Sequence, residues 1–424
     1  MYNLYGDFMY TDFNISEKLI KLSEEAEKEL IPTFNRIDKI SALWSSKVLK
    51  AFQDVDINTT DFNEVVGYGY EDSGRDKLEE VYAHVFGAED ALVRPQIMSG
   101  THALTLCLSG LLKYGDTMIS ISGIPYDTIR TVIGTEGDSE SSLIKNGIKY
   151  EEIDLIDNDF DYEAIKKRLE KNDVKLVEIQ RSLGYAPRLS LTIDKIEKVI
   201  KEIRKVNKDV IILVDNCYGD FVEEKEPTEV GADVLMSSLM KNLGSGIATS
   251  GGYIVGKKKY IHLIAERLTA PGVGKNMGAN FNVLSTYYKG IYLAPLVVAS
   301  ALKTMSLAAY MLEKLGYKVS PRYNDNRADI IQVVELGTEE KLKSFCEGLQ
   351  RGGAIESKVK PIPCEMPGYP HEEMMGGSTF IPASTIELSC DGPMRPPYNV
   401  FMQGSLTYDY GKLGILIALN NMEE

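Results

Sequence analysis

The chain has 424 residues, enough for one large and one smaller domain rather than a single small core. Its 44% hydrophobic and 26% charged residues are ordinary for a soluble globular protein. A net charge of −15 argues against nucleic acid or an anionic membrane as partner, but leaves open a small anion held in a local pocket.

No apolar run is expected to span a bilayer, and the opening MYNLYGDFMYTDFN lacks the basic start and apolar stretch of a secretion signal. Residues 16–30 have the spacing of an amphipathic helix with Ser16 as cap, and 35–52 continue as a second helix. These precede any strand and form an N-terminal arm over 1–62. A Tyr- and Gly-rich loop follows at 63–74, then a helix at 75–86. Strand and helix patterns then alternate. Apolar runs at 91–94, 117–120, 149–153, 175–179, 210–214, 233–236 and 253–255 give seven candidate strands, separated by helices at 101–113, 128–133, 162–171 and 193–206. This alternation predicts an α/β domain over 63–290, with a mainly parallel sheet covered on both faces. Ligands of such sheets sit beyond the carboxyl ends of the strands. A long apolar helix at 287–315 connects to a smaller α+β domain (291–424), with strands at 330–335 and 385–389 and helices at 339–350 and 408–419. The stretch 361–397 is rich in Pro, Gly and Met and reads as a functional loop region.

Five scattered cysteines in no CxxC spacing predict reduced thiols and a cytoplasmic protein. Four histidines in no ligand spacing predict no metal.

Three stretches carry chemistry. Asp215 directly follows the strand VIILV. Lys241 lies in a Ser- and Gly-rich turn between two strands, where backbone and a ligand can approach closely. Ser99, Gly100 and Thr101 open a helix directly after a strand and offer amides and hydroxyls to an anion. Taken singly, each has a plain reading: a turn-capping Asp, a solvated Lys, an N-capping Ser. Jointly, on successive strands of one sheet, they meet the needs of pyridoxal phosphate: an amine for its aldehyde, an acid for its pyridine nitrogen and a cradle for its phosphate. The amine must lose its proton to attack a carbonyl, which burial near cationic charge assists.

The chain resembles fold-type I pyridoxal-phosphate enzymes of the cystathionine/methionine gamma-lyase branch. Within that branch it looks like the carbon–sulfur lyases called aluminium resistance proteins. The segments that carry the resemblance are GYGYEDSGRDKLE (67–79), SGTHAL (99–104), PYDT (125–128), VDNCYGDFVE (214–223), MSSLMKNLG (236–244) and STIELSCDGPMRPPY (384–398). The resemblance implies Lys241 as the Schiff-base lysine, Asp215 at the pyridine nitrogen, and Ser99, Gly100, Thr101 and Ser238 at the phosphate. It also implies Tyr126 stacked on the ring and Tyr70 reaching the cofactor from a neighbouring subunit and assisting proton transfer to the leaving thiol. Two positions depart from the branch: Met240 stands where Thr usually precedes the lysine, and Asp72 stands where an arginine is usual, with Arg75 or Lys275 as substitute cations. The substrate carboxylate calls for a planar arginine fork, for which Arg395 and Arg181 are candidates; His102 reads as structural. The implied protein is a cytoplasmic homo-oligomer, a dimer at least and plausibly a tetramer. It would eliminate a thiol from a sulfur-containing amino acid. Aminotransfer or gamma-replacement on the same residues is the alternative, and a non-catalytic fold relative the remaining one.

Overall fold

The structure is a computed structural model and describes residues 10–70, 72–366, 369 and 371–423. Most of the opening stretch, residues 1–9, lies outside the described residues, as do three residues of the 361–397 loop region, 367, 368 and 370. In chain order the elements are α1 (Glu17–Glu29), α2 (Ile31–Asp54), α3 (Ser73–Val85), β1 (Asp90–Arg94), α4 (Gly100–Leu111), β2 (Thr117–Ser120), α5 (Asp127–Ile133) and β3 (Lys149–Glu152). A small hairpin, β4 (Leu155–Ile156) and β5 (Asp159–Phe160), leads to α6 (Tyr162–Leu169), β6 (Val174–Gln180), α7 (Ile193–Val206), β7 (Ile211–Asp215), β8 (Val234–Ser238), β9 (Gly252–Gly256) and α8 (Lys258–Leu268). Then come α9 (Leu284–Lys314), β10 (Lys318–Ser320), β11 (Gln332–Glu335), α10 (Glu339–Arg351), β12 (Glu373–Gly377), β13 (Ser389–Pro393), β14 (Asn399–Gln403) and α11 (Tyr408–Glu423).

The chain divides into two units. One is Ile40–Leu296 with Arg327–Asp329; the other is the segment up to Lys39, Val297–Asn326 and the chain from Ile330 onward. The N-terminal arm expected over 1–62 is therefore shared between the units, and the second division falls inside α9.

In the first unit the seven expected strands form one sheet in the order β1-β9-β8-β7-β6-β2-β3. Strands β3, β2, β6, β7 and β8 are parallel, whereas β9 runs antiparallel to both its neighbours. Period-2 alternation sorts the side chains. Ile212 and Val214 of β7 join Ile196, Val199 and Ile203 of α7 in one core layer. Ile211 and Leu213 of β7, with Val234 and Met236 of β8, join Ala103, Cys107 and Leu108 of α4 in the other. Continuing this alternation puts Asp215 and Ser238, the last residues of β7 and β8, on the α4 face.

The second unit holds a five-stranded antiparallel sheet, β10-β11-β14-β13-β12. Its core gathers Leu19, Ala26 and Leu30 of the N-terminal segment with Phe345 and Leu349 of α10 and Ile415, Leu416 and Leu419 of α11. The strand expected at 385–389 instead begins at Ser389, and β10, β12 and β14 were not foreseen.

Helix α9 corrects the expectation that no apolar run reaches membrane-spanning length. By length and composition it qualifies, but 78% of its most apolar 18-residue window is buried inside the protein, as in a core helix.

Candidate active site

The ends of β6, β7 and β8 and the starts of α4 and α5 converge in the sheet unit. Ser99 caps α4, its hydroxyl accepting from the His102 amide at 3.1 Å. Gly100 begins the helix, and a Cβ at this position would stand 3.1 Å from Cys217 Sγ and 3.5 Å from the Ser238 Cβ. Glycine thus leaves a cleft between a helix N-terminus and the ends of β7 and β8, where amides and the helix dipole favour an anion. The Ser238 hydroxyl accepts from the Met240 amide at 3.1 Å and can donate its O–H to such an anion. The Thr101 hydroxyl lies 2.9 Å from that of Thr128, two residues after Tyr126. This contact ties the α4 start to the α5 start.

Tyr126 is held by its backbone: its amide donates to Gln180 Oε1 at 2.7 Å. Gln180 ends β6 and pairs in register with Asp215. Gly184, at φ +58°, lies so close to the Tyr126 ring that a Cβ would come within 2.9 Å of Cδ2. The Tyr185 ring packs on Tyr126 at 5.7 Å.

Asp215 Oδ1 accepts from the Cys217 amide at 3.0 Å. Lys241 Nζ sits 3.7 Å from the centroid of the Tyr218 ring. Burial pulls the Lys241 amine down, but Cys217, Tyr218 and Asp215 beside it outweigh burial and hold it above its ordinary value. No cation accounts for the shift, contrary to the expectation of nearby positive charge. Burial holds the Cys217 thiol above its usual range, and neighbouring Asp215 adds to the rise.

Other predicted residues fall elsewhere. Arg181 is fully buried, with Nη1 2.8 Å from Asn216 Oδ1 and 3.5 Å from Glu226, and Nη2 2.7 Å from Glu223. These bonds engage its fork inside the protein, which removes it as a candidate for the substrate carboxylate. Arg75 pairs with Asp72 at 2.8 Å, both buried, so Asp72 and its expected substitute neutralise each other. Lys275 lies 3.0 Å from Glu79 and also pairs with Asp90. His102 accepts from the Met98 amide through Nδ1 at 3.1 Å, and burial lowers its pKa. Tyr70 is exposed on the 67–72 loop. Arg395 belongs to the second unit, exposed and 3.1 Å from His371 Nε2.

Sequence reading missed Gln180, Gly184, Asn216 and Asp220, whose partners are remote in the chain. It also missed Glu178, buried on the Asp215 face of β6, where burial lifts its carboxyl to about 7, Ser120 and Arg188 oppose the lift, and Asp215 adds to it. Among the described residues, no cluster of three or more His, Cys, Asp or Glu could hold a metal ion.

The residues present fit pyridoxal phosphate: an amine under the electrostatic influence of a carboxylate at the end of β7, and a glycine-lined helix start where a Cβ would intrude. The family model described as methionine gamma-lyase matches residues 19–423. YnbB of Bacillus subtilis (strain 168), itself uncharacterised, is 42% identical over 416 residues, covering 98% of this chain and 99% of the relative. The crystal structure of a carbon-sulfur lyase involved in aluminum resistance from Clostridium novyi NT superposes with a TM-score of 0.94 at 42% identity, covering 99% of both chains. Cystathionine gamma synthase from Xanthomonas oryzae pv. oryzae shares the fold at a TM-score of 0.57 and 16% identity, over 82% of this chain and 86% of that one. The chain therefore belongs to the methionine gamma-lyase family, whose fold is that of type I pyridoxal-phosphate enzymes and whose chemistry is carbon–sulfur lysis.

Proposed function

We propose that this protein binds pyridoxal phosphate and eliminates a thiol from a sulfur-containing amino acid of the methionine, cystathionine or cysteine type, with water giving a 2-oxo acid and ammonia. The single observation that carries the reading is that Asp215, the last residue of β7, acts electrostatically on Lys241, three residues past the end of β8, while the Gly100 turn packs against Cys217 and Ser238. The bound cofactor supplies an aldehyde for the amino group and a ring that accepts electrons from the substrate's alpha carbon.

The chain's residues supply the rest. Asp215 holds the pyridine nitrogen protonated. The Gly100 and Thr101 amides, with the Ser99 and Ser238 hydroxyls, hold the phosphate. Tyr126, positioned by Gln180 and Gly184, would stack on the ring of the bound cofactor. With Asp215 engaged by the ring nitrogen of a bound cofactor, Lys241 would be the amine that takes a proton from the substrate's alpha carbon. Tyr70 of a second copy moves a proton to the departing sulfur, so the working form is at least a dimer. Arg395 is the arginine we propose for the substrate carboxylate, on the resemblance alone. All five cysteines are free thiols, which fits the cytoplasm.

The test is a visible spectrum of the purified protein with added cofactor, followed by a screen of sulfur amino acids for thiol and 2-oxo acid. The expected result is a visible band with thiol release, both lost in Lys241→Ala, whose rate falls about a thousandfold. Absence of binding to the wild type overturns the reading. Oxo acid without thiol indicates aminotransfer instead.

A further inference from the structure

Behind the α4 face, on the opposite side of β7 and β8, the loop from Asn216 to Glu226 folds back into the protein. Trp44 of α2 anchors it, stacking on Phe221 at 4.4 Å and donating to the Glu223 carbonyl at 2.7 Å. Its hub is Asp220, which is fully buried. One carboxylate oxygen accepts from Asn216 Nδ2 at 2.7 Å and from the Tyr253 hydroxyl. The other accepts from Ser237 Oγ at 3.0 Å. The Asp220 backbone carbonyl accepts from Asn242 Nδ2 at 2.8 Å, and the same amide group reaches the Tyr218 carbonyl at 3.1 Å. Asn216 directly follows Asp215, and Asn242 directly follows Lys241.

We propose that Asp220 is a positioning residue that couples Asp215 to Lys241, gripping the first through Asn216 and the second through Asn242. This rests on reading Asp215 and Lys241 as the two poles of the cofactor site. Three features distinguish the arrangement from an ordinary satisfied core carboxylate. First, Asn242 Oδ1 is buried without a hydrogen-bond partner among the described residues. A side chain that leaves a buried oxygen unpaired is oriented by the bonds its nitrogen makes. Second, Ser237 and Ser238 are adjacent on β8 and point to opposite faces, one to Asp220 and one to the anion cleft. The strand that leads to Lys241 is thus pinned from behind at the step that faces the anion cleft. Third, the cluster is unfavourable as packing. Burial raises both Asp220 and Glu226, and Arg181 is buried with them. An apolar filling of similar volume is often as stable or more so, and fixed geometry at Asp215 and Lys241 is what the polar cluster adds. A misplacement of about 1 Å at a reacting group lowers rate roughly a hundredfold.

The experiment compares wild type, Asn242→Ala, Asp220→Asn and the double variant, each loaded with pyridoxal phosphate. Cofactor attached to Lys241 is trapped with borohydride over time and located by peptide mass spectrometry. Trapping rate, cofactor dissociation constant and the melting temperature of cofactor-free protein are read together. Each single variant is expected to slow trapping about tenfold, with kcat falling while KM changes less than about twofold. The double variant should be no slower than the slower single variant, because the Asp220 carboxylate's bond to Asn216 and its backbone carbonyl's bond to Asn242 are successive steps of one linkage. Additive slowing, or a lowered melting temperature with unchanged trapping, overturns the proposal. If Asp220→Asn does not fold, Asn242→Ala, which removes one side chain's bonds, decides alone. Wild type that is never trapped overturns the proposed function itself, whereas trapped wild type with unaltered variants overturns only the coupling.

Discussion

Lys241 and Asp215 stood out in the sequence because each directly follows or closely follows a short apolar run, and in a sheet covered on both faces such positions face ligand. Glu178 sits two residues before the end of β6 on the same face, yet nothing local marks it. Its character depends on neighbours from β2, β3, β7 and the loop after β6: Ser120, Tyr150, Asp215 and Arg188. Raising its carboxyl from 4.5 to about 7 corresponds to roughly 3 kcal/mol between the protonated and ionised forms. The unfolded chain releases this proton near 4.5 and the fold holds it until about 7, so the fold binds it more tightly in between. The stability it contributes is complete below about 4.5 and lost as pH rises through about 7. Glu178→Gln stays neutral throughout. Its stability relative to wild type should therefore rise between pH 5 and 8, by roughly 2–3 kcal/mol. Denaturant unfolding of cofactor-free protein across that range checks this, and a pH-independent difference contradicts it.

The seven strands of the large sheet were readable as elements because burial on both faces makes each a continuous apolar run. The reversed direction of β9 was not, since a buried strand reads alike in either direction. In the other unit the signal weakens: β13 is the polar and turn-forming run Ser-Cys-Asp-Gly-Pro, and β12 ends in two glycines. Such strands owe their position to the neighbours they pair with. Helix α7 marks the opposite extreme, with Ile193, Ile196, Val199, Ile200 and Ile203 on one buried face. Ile196, fully buried against β6 and β7, should lose about 2–5 kcal/mol on truncation to Ala. Because α7 covers the face away from α4, this change should leave the cofactor dissociation constant near wild type below the melting transition. Calorimetry and a cofactor titration on one sample separate the two effects.

At the scale of the whole molecule, Tyr70 sits on a loop that is braced and exposed at once. The Gly67 carbonyl accepts from the Gly278 amide at 2.8 Å, so closely that a Cβ on residue 67 would stand 1.9 Å from the Gly278 oxygen. Asp72 accepts from the Gly69 amide at 3.2 Å and pairs with Arg75. Despite this bracing the Tyr70 side chain is 76% exposed, and Val66, Tyr68 and Phe281 are exposed with it. Apolar and aromatic side chains presented together on a fixed loop mark an interaction surface. The resemblance marks Tyr70 as a residue shared with a neighbouring subunit, whereas spacing and composition alone mark only a Tyr- and Gly-rich loop. If each site takes Lys241 from one subunit and Tyr70 from the other, then Lys241→Ala and Tyr70→Phe complement each other. A mixed dimer contains one site with both defects and one with neither. Unfolding and refolding the two inactive variants together at equal amounts should therefore restore about a quarter of wild-type activity, since half the dimers are mixed and half the sites in each are intact. Each variant refolded alone must stay near its own baseline. Failure to recover activity, with mixed dimers demonstrated by differential tagging, would place Tyr70 and Lys241 in independent roles.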